Sequence, residues 1–130
     1  MTGNKILLDT NIISALLKGD DLLTHNIDEA EEIYLCAIVL GELYYGAEYS
    51  IQVENNKANI GHLKSIYDVL LVDEETAEIY GVFKAFLRKQ GTPIPENDIW
   101  IAALSKQHGL DLISRDRHFT YLPDINLIHW

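Results

Sequence analysis

Lys5-Ile6-Leu7-Leu8-Asp9-Thr10-Asn11 is a short apolar run that ends in an acid, and Ile12, Ile13, Leu16 and Leu17 then recur at helical spacing. The stretch predicts a strand feeding directly into a helix. The same alternation continues along the chain. A helix is expected over about Asp20 to Glu32, a strand near Ile33 to Cys36, a helix from about Ile38 to Tyr49, and a helix over Asn55 to Asp68 that pairs with it as a hairpin. Val69 to Val72 predicts a third strand. Glu74 to Gln90 predicts a long helix stopped by Gly91, and Thr92-Pro93-Ile94-Pro95 forces a rigid loop. Asp98 to Gln107 reads as helix ended by Gly109, Leu110 to Ser114 as a strand, and Asn126 to His129 as the last strand. Strands that are unbroken apolar runs imply a parallel sheet covered on both faces. The expected class is therefore α/β, a parallel sheet of four to five strands flanked by helices.

With 130 residues, 48% of them hydrophobic, the chain is long enough to bury a core and reads as a single domain over residues 1–130. Its longest apolar runs, Ile6 to Leu8 and Ala37 to Leu40, fall far short of the roughly 20 residues that span a bilayer. The start, Met1-Thr2-Gly3-Asn4-Lys5, lacks the basic and apolar regions of a secretory signal, so a cytoplasmic location is expected. The single cysteine, Cys36, reads as a small buried hydrophobe rather than a nucleophile. A net charge of −10 argues against simple adhesion to nucleic acid. Bound divalent cations or a basic partner protein would offset it, and a merely soluble acidic protein needs neither.

Ligands of open parallel sheets bind outside the carboxyl ends of the strands, where Asp9 and Asp116 both fall. Either alone is better explained as a loop or helix-capping aspartate. Glu42 has Ile38, Val39, Tyr45 and Gly46 as its helical neighbours, which read as a buried face on which a carboxylate needs a partner. A bond to a tyrosine or an outward-reaching side chain would also satisfy it. Asp98 begins a helix with Ile101, Ala102 and Ser105 on its own side; capping by Asn97 or Asp98 is the plain alternative, and Glu96 reads as a solvated loop acid.

Two such carboxylates about 4 Å apart repel by about 4 kcal/mol at an effective dielectric near 20, and a bound cation reverses that sign. An all-oxygen, incomplete cage suits Mg²⁺ or Mn²⁺, and the histidines His25, His62, His108, His118 and His129 show no zinc-ligand spacing. A divalent cation so held supports phosphodiester hydrolysis without a side-chain nucleophile. Ser114 is better placed to hydrogen-bond a carboxylate than to attack, although a turn-forming serine would look the same.

Four segments together resemble the PIN-domain endoribonucleases of the VapC toxin type, over nearly the whole chain. They are Leu7-Leu8-Asp9-Thr10-Asn11, Gly41-Glu42-Leu43-Tyr44-Tyr45-Gly46-Ala47, Pro95-Glu96-Asn97-Asp98-Ile99-Trp100-Ile101-Ala102-Ala103 and Leu112-Ile113-Ser114-Arg115-Asp116-Arg117-His118-Phe119. The resemblance implies a PIN-like domain with Asp9, Glu42, Asp98 and Asp116 as catalytic metal-site residues, supported by Asn11 and Ser114. It further implies an Mg²⁺- or Mn²⁺-dependent ribonuclease toxin that acts on RNA, forms a homodimer and is restrained by a cognate antitoxin.

The cations available to grip RNA are few, chiefly Arg115, Arg117, Lys84, Arg88 and Lys89. Lys84 and Arg88, four apart on one helix face, are expected to reach phosphates across a dimer groove, although such a run is more often a solvated surface. Two other functions compete. An aspartyl-phosphate enzyme would use Asp9 as nucleophile, but Asp9-Thr10-Asn11 lacks the second acid of the haloacid dehalogenase pattern. A catalytically silent RNA- or protein-binding module would keep the fold without turnover, but has no reason to retain a repulsive acid cluster.

Overall fold

The structure is a computed structural model that describes residues 4–130; the expectation drawn from Met1-Thr2-Gly3 lies outside them. In chain order the elements are β1 Lys5–Leu8, α1 Thr10–Leu17, α2 Asp21–Glu29, β2 Glu32–Cys36, α3 Ala37–Glu48, α4 Val53–Ile66, β3 Asp68–Leu70, α5 Glu74–Gln90, α6 Glu96–Gln107, β4 Asp111–Ile113, a short 3₁₀ helix Arg117–Tyr121, and β5 Asn126–Ile128. The five strands form one sheet in the order β3-β2-β1-β4-β5, every pairing parallel. Adjacent side chains of a strand point to opposite faces. Ile6, Leu7 and Leu8 are nonetheless all fully buried, so helices cover both faces at the centre of the sheet. This is the α/β arrangement that the unbroken apolar strands predict.

Pairing moves two helix ends inward from their expected positions. The second helix stops at Glu29 rather than Glu32, because Glu32 pairs in register with Lys5 and its carboxylate meets the Lys5 ammonium at 3.1 Å. The fourth helix stops at Ile66, and Tyr67 turns extended so that Asp68 can pair with Tyr34. β3 therefore occupies Asp68–Leu70 rather than Val69–Val72. Helical periodicity does not reveal such ends, since the competing ladder bonds come from distant residues.

Helices α5 and α6 pack along each other and are tied at one end by a polar knot. The Asp73 carboxylate caps α5, accepting from the Thr76 amide at 3.1 Å, while the Thr76 hydroxyl accepts from the Asp73 amide at 3.0 Å. The Gln107 side-chain amide, at the far end of α6, donates to the same Asp73 oxygen at 2.9 Å. Helix α5 ends at Gly91, whose φ of +79° is the left-handed conformation glycine adopts most readily. Farther along the pair, Tyr80 stacks on Trp100 with ring centroids 3.9 Å apart. Helix α6 is buried nearly all round, from Asp98 and Ile99 through Ile101 to Ser105.

The chain enters α6 over Pro95, whose carbonyl accepts from the amides of Asp98 and Ile99 at 3.1 and 3.3 Å. The helix thus starts at Glu96, and neither Asn97 nor Asp98 is its cap. Glu96 is its first residue rather than a solvated loop acid, held by the Tyr80 hydroxyl at 2.8 Å and by Lys84. Cys36 is fully buried at the end of β2, and burial pushes its thiol up to about 11, in keeping with a structural role.

Asp73→Ala removes the α5 cap and the Asp73–Gln107 bond to α6, and is expected to cost about 1–2 kcal/mol in urea unfolding. An unchanged midpoint would mean that the Asp73 carboxylate adds nothing to what the remaining α5–α6 contacts, among them Tyr80 and Lys84 with Glu96, already supply.

Candidate active site

Crevices form in parallel sheets where the strand order reverses. Here the chain winds outward from β1 through β2 to β3, then returns to lay β4 on the other side of β1. The reversal falls between β1 and β4, and the segments leaving those two strands carry Asp9 and Ser114 through Asp116.

Asp9 directly follows β1, and its amide donates to the Ile113 carbonyl at 3.0 Å, extending the β1–β4 pairing by one residue. Its side chain is both cap and site residue. One oxygen accepts from the Thr10 amide at 2.8 Å, and the other accepts from the Ser114 hydroxyl at 2.6 Å. Both oxygens are engaged and residue 11 is Asn, so the aspartyl-nucleophile reading finds no support here. Ser114 is the hub of this corner. Its buried hydroxyl donates to Asp9 and accepts from the Asp116 amide at 3.0 Å and from the Asn11 side chain at 3.4 Å. One donor and two acceptor positions are thereby used, leaving a serine that orients a carboxylate rather than attacks. Asn11 also accepts from the Arg115 amide at 3.3 Å, closing the loop after β4 onto the start of α1.

Asp98, only 7% exposed, is delivered from the first turn of α6 and is free of any capping role. Asp116 caps the 3₁₀ helix, accepting from the His118 amide at 3.0 Å. The His118 Nδ1 lies 2.9 Å from Asp116 and 3.1 Å from Asp98. One ligand atom from each of Asp98, Asp116 and His118 falls within 4.8 Å of the other two.

Asp9 and Glu42 lie outside that trio, and Asp9 feels the charge of its Asp116. Burial raises the Asp9 pKa, the Ser114 and Thr10 bonds oppose the rise, and the Glu42 and Asp116 charges add to it. Burial likewise pushes the Asp98 carboxyl up to about 6; His118 opposes this, and Asp116 and Asp9 reinforce it. Like charges gathered in a buried place raise one another's pKa unless a cation relieves them.

Glu42 corrects one expectation. The buried stripe of α3 is Val39, Leu43 and Ala47, whereas Tyr45 and Gly46 are exposed and Ile38 is half-buried, so Glu42 stands at the edge of the stripe. Its partners come from other helices: the Thr10 hydroxyl donates at 2.6 Å and the Asn97 side-chain amide at 3.4 Å. Glu42 also forms a common wall between two clefts. One, of about 350 Å³, is lined by Thr10, Ser14 and Asn56, and the other, of about 470 Å³, by Gly41, Tyr45 and Asn97.

Thr10, Asn97 and His118 are the site residues that reading the sequence for chemistry passes over. Thr10 and Asn97 each adjoin a candidate acid, which was the available signal, but their bonds to Glu42 need the packing of α1, α3 and α6. His118 has no histidine or cysteine at ligand spacing and enters the site through the turn after Asp116.

Two of the five candidate RNA-binding cations are occupied. Arg115 pairs with Asp20 at 3.4 Å and donates to the Trp130 carbonyl at 2.6 Å, while Lys84 is held by Glu96 and lies 3.3 Å from the Tyr80 hydroxyl. Among the described residues, Arg88, Lys89 and Arg117 take part in no ion pair.

A site of carboxylate oxygens with one imidazole nitrogen, two of whose acids are raised by burial, has the donor chemistry of a divalent-cation site. No helix among the described residues is long and apolar enough to cross a membrane.

The sequence profile of the PIN domain matches residues 6–125. The chain is 36% identical over 129 residues to Ribonuclease VapC2 of Haemophilus influenzae, covering 97% of this chain and 98% of that one. It is 31% identical to the tRNA(fMet)-specific endonuclease VapC of Salmonella typhimurium, again over 97% and 98% of the two chains. Among solved structures it superposes on a chain of the VapBC2 complex of Rickettsia felis bound to a DNA fragment from their promoter. That match has a TM-score of 0.89 at 26% identity and covers 96% and 98% of the two chains.

The electrostatics carry a pH test. The folded state holds the Asp98 proton more tightly than the unfolded chain does, raising the pKa from 3.8 to about 6. The stability this contributes is full below the lower value and is lost as pH rises through the upper one. In EDTA, Asp98→Asn should therefore gain stability relative to wild type between about pH 4 and pH 7, by up to about 3 kcal/mol in urea unfolding. Parallel stability curves would show that burial does not strain this carboxylate.

Proposed function

Because the chain belongs to the PIN-domain family, we propose that it is a metal-dependent endoribonuclease that hydrolyses RNA phosphodiester bonds as the toxin of a toxin–antitoxin pair. The observation that carries this reading is the convergence of Asp9, Asp98 and Asp116 on the β1–β4 switch point, with Glu42 across Thr10 from Asp9. Asp98 and Asp116, with Asp9 and Glu42, would hold the Mg²⁺ or Mn²⁺. The bound cation would activate water and stabilise charge on the phosphoryl group.

The protein's own contribution is orientation. Ser114 aims one oxygen of Asp9, and the Thr10 amide holds the other. Thr10 and Asn97 hold Glu42 from two helices, leaving that carboxylate at the junction of the two clefts, where a strand of RNA can approach. Asn11 and the Asp116 amide fix Ser114 in turn, so the supporting shell is connected by hydrogen bonds.

The relatives extend the reading to partners. A cognate antitoxin is the expected inhibitor, and a basic one would complement the net charge of −10. A homodimer is expected as well, for which the exposed apolar Val82 and Phe86, one turn apart on α5, offer contact surface. The cytoplasm, which holds the RNA, is the expected location.

The decisive experiment is cleavage of a structured RNA mixture by the purified, antitoxin-free chain in EDTA, Mg²⁺ or Mn²⁺. Cutting should require the metal and fall by more than about 100-fold in Asp9→Asn, beyond the 10–100-fold typical of losing an outer-shell partner. RNA binding without cleavage under every condition would instead favour a silent binding module.

Lys84 can reach a phosphate only by releasing Glu96, so its contribution is open to a direct test. Lys84→Ala combined with Arg88→Ala should weaken cleavage and flatten its salt dependence by about one logarithmic unit per lost phosphate contact. An unchanged salt slope would remove this helix face from the RNA path.

A further inference from the structure

Four carboxylates account for the metal site as read above, but they leave His118 unexplained. Its Nδ1 stands 2.9 Å from Asp116 Oδ1 and 3.1 Å from Asp98 Oδ2, a single nitrogen between two acids that arrive from different elements. A neutral imidazole has at most one N–H at that nitrogen, and one N–H cannot point well at two separate acceptors. The spacing is also that of neighbouring ligands around one ion. Atoms about 2.1 Å from an octahedral cation lie about 3 Å apart along each edge. The ring is, moreover, built into position. The His118 amide is bonded to Asp116 at 3.0 Å, and the next residue, Phe119, is fully buried, which anchors the 3₁₀ helix to the core.

We infer that His118 is a further protein ligand of this site, binding through Nδ1 beside Asp98 and Asp116, and that its nitrogen makes the site prefer Mn²⁺ to Mg²⁺. The inference rests on the reading that these carboxylates hold a divalent cation. Mg²⁺ favours oxygen donors and gives up its waters reluctantly, whereas imidazole binds transition ions more strongly. A purely carboxylate site accepts either ion. One nitrogen among the oxygens is enough to separate them, and it comes from a residue whose backbone is already tied to a ligand.

The test uses the full chain loaded with Mn²⁺ alone and examined by pulsed electron paramagnetic resonance. Nitrogen hyperfine coupling is expected, altered by isotopic labelling of histidine nitrogen in the wild-type chain, so that the result does not depend on a variant folding. Calorimetric titration with Mn²⁺ and with Mg²⁺ gives the second readout. His118→Gln should lower Mn²⁺ affinity by roughly tenfold or more and leave Mg²⁺ affinity nearly unchanged, collapsing the preference. If Mn²⁺ binds, and Asp98→Asn abolishes that binding, but no nitrogen coupling appears, His118 is not a ligand and the carboxylate site stands without it. If wild-type protein shown to be folded binds no Mn²⁺ at all, the metal-site reading falls and this inference with it.

Discussion

The site depends on the parallel pairing of β1 with β4, in which Ile6, Leu7 and Leu8 stand opposite Asp111, Leu112 and Ile113. One more bond, from the Asp9 amide to the Ile113 carbonyl, carries the ladder past the end of β1 and brings the two departing segments side by side. Ser114 can then donate to Asp9, although 105 positions separate them in the chain. Side chains on a strand have a period of two, so a slip of one residue would turn Asp9 to the opposite face and break this bond. The buried apolar residues on either side oppose that slip.

A second constraint is electrostatic. Folding gathers carboxylates in a place that solvates them poorly, and Asp9 and Asp98 both respond with raised pKa values. The protein relieves part of the strain with hydrogen bonds from Ser114 and Thr10 to Asp9, and the His118 ring stands against Asp98. The remainder is charge that a divalent cation would offset, since a fully compensated set of acids would have little to gain from one. Lys5, Lys57, Lys84, Lys106 and Arg115 are already paired with surface carboxylates, which leaves fewer cations to offset the acids of the site.

Much of this was legible along the chain. Strand β1 and helix α5 could be bounded closely, because an unbroken apolar run, a capping aspartate and a terminal glycine are local signals. The acids at strand ends could be singled out by the rule that places ligands there, and Ser114 and Asn11 by their places in the motifs. Elsewhere local reading went astray. Glu42 looked buried because its helical neighbours are apolar or aromatic, yet Tyr45 faces outward, since α3 presents only a narrow stripe to the core. Asn97 and Asp98 read as alternative caps, but the helix starts two residues earlier, at Glu96 after Pro95, and neither side chain caps it. Lys84 looked available for phosphate, and folding sets it against Glu96 across the α5–α6 pair.

The sequence by itself determined the strands and the α-helices, their alternation, the parallel character of the sheet and which acids are candidates for the site, because those follow from apolar runs, turn residues and residue type, each readable within a few positions. Tertiary structure alone decided the strand order, and with it the reversal between β1 and β4 where the acids meet. It also decided that Thr10 and Asn97 would hold Glu42, and that His118 would stand between Asp98 and Asp116. These are contacts between residues far apart in the chain. Their distances are set by how helices pack on a twisted sheet, which no local pattern of side chains encodes.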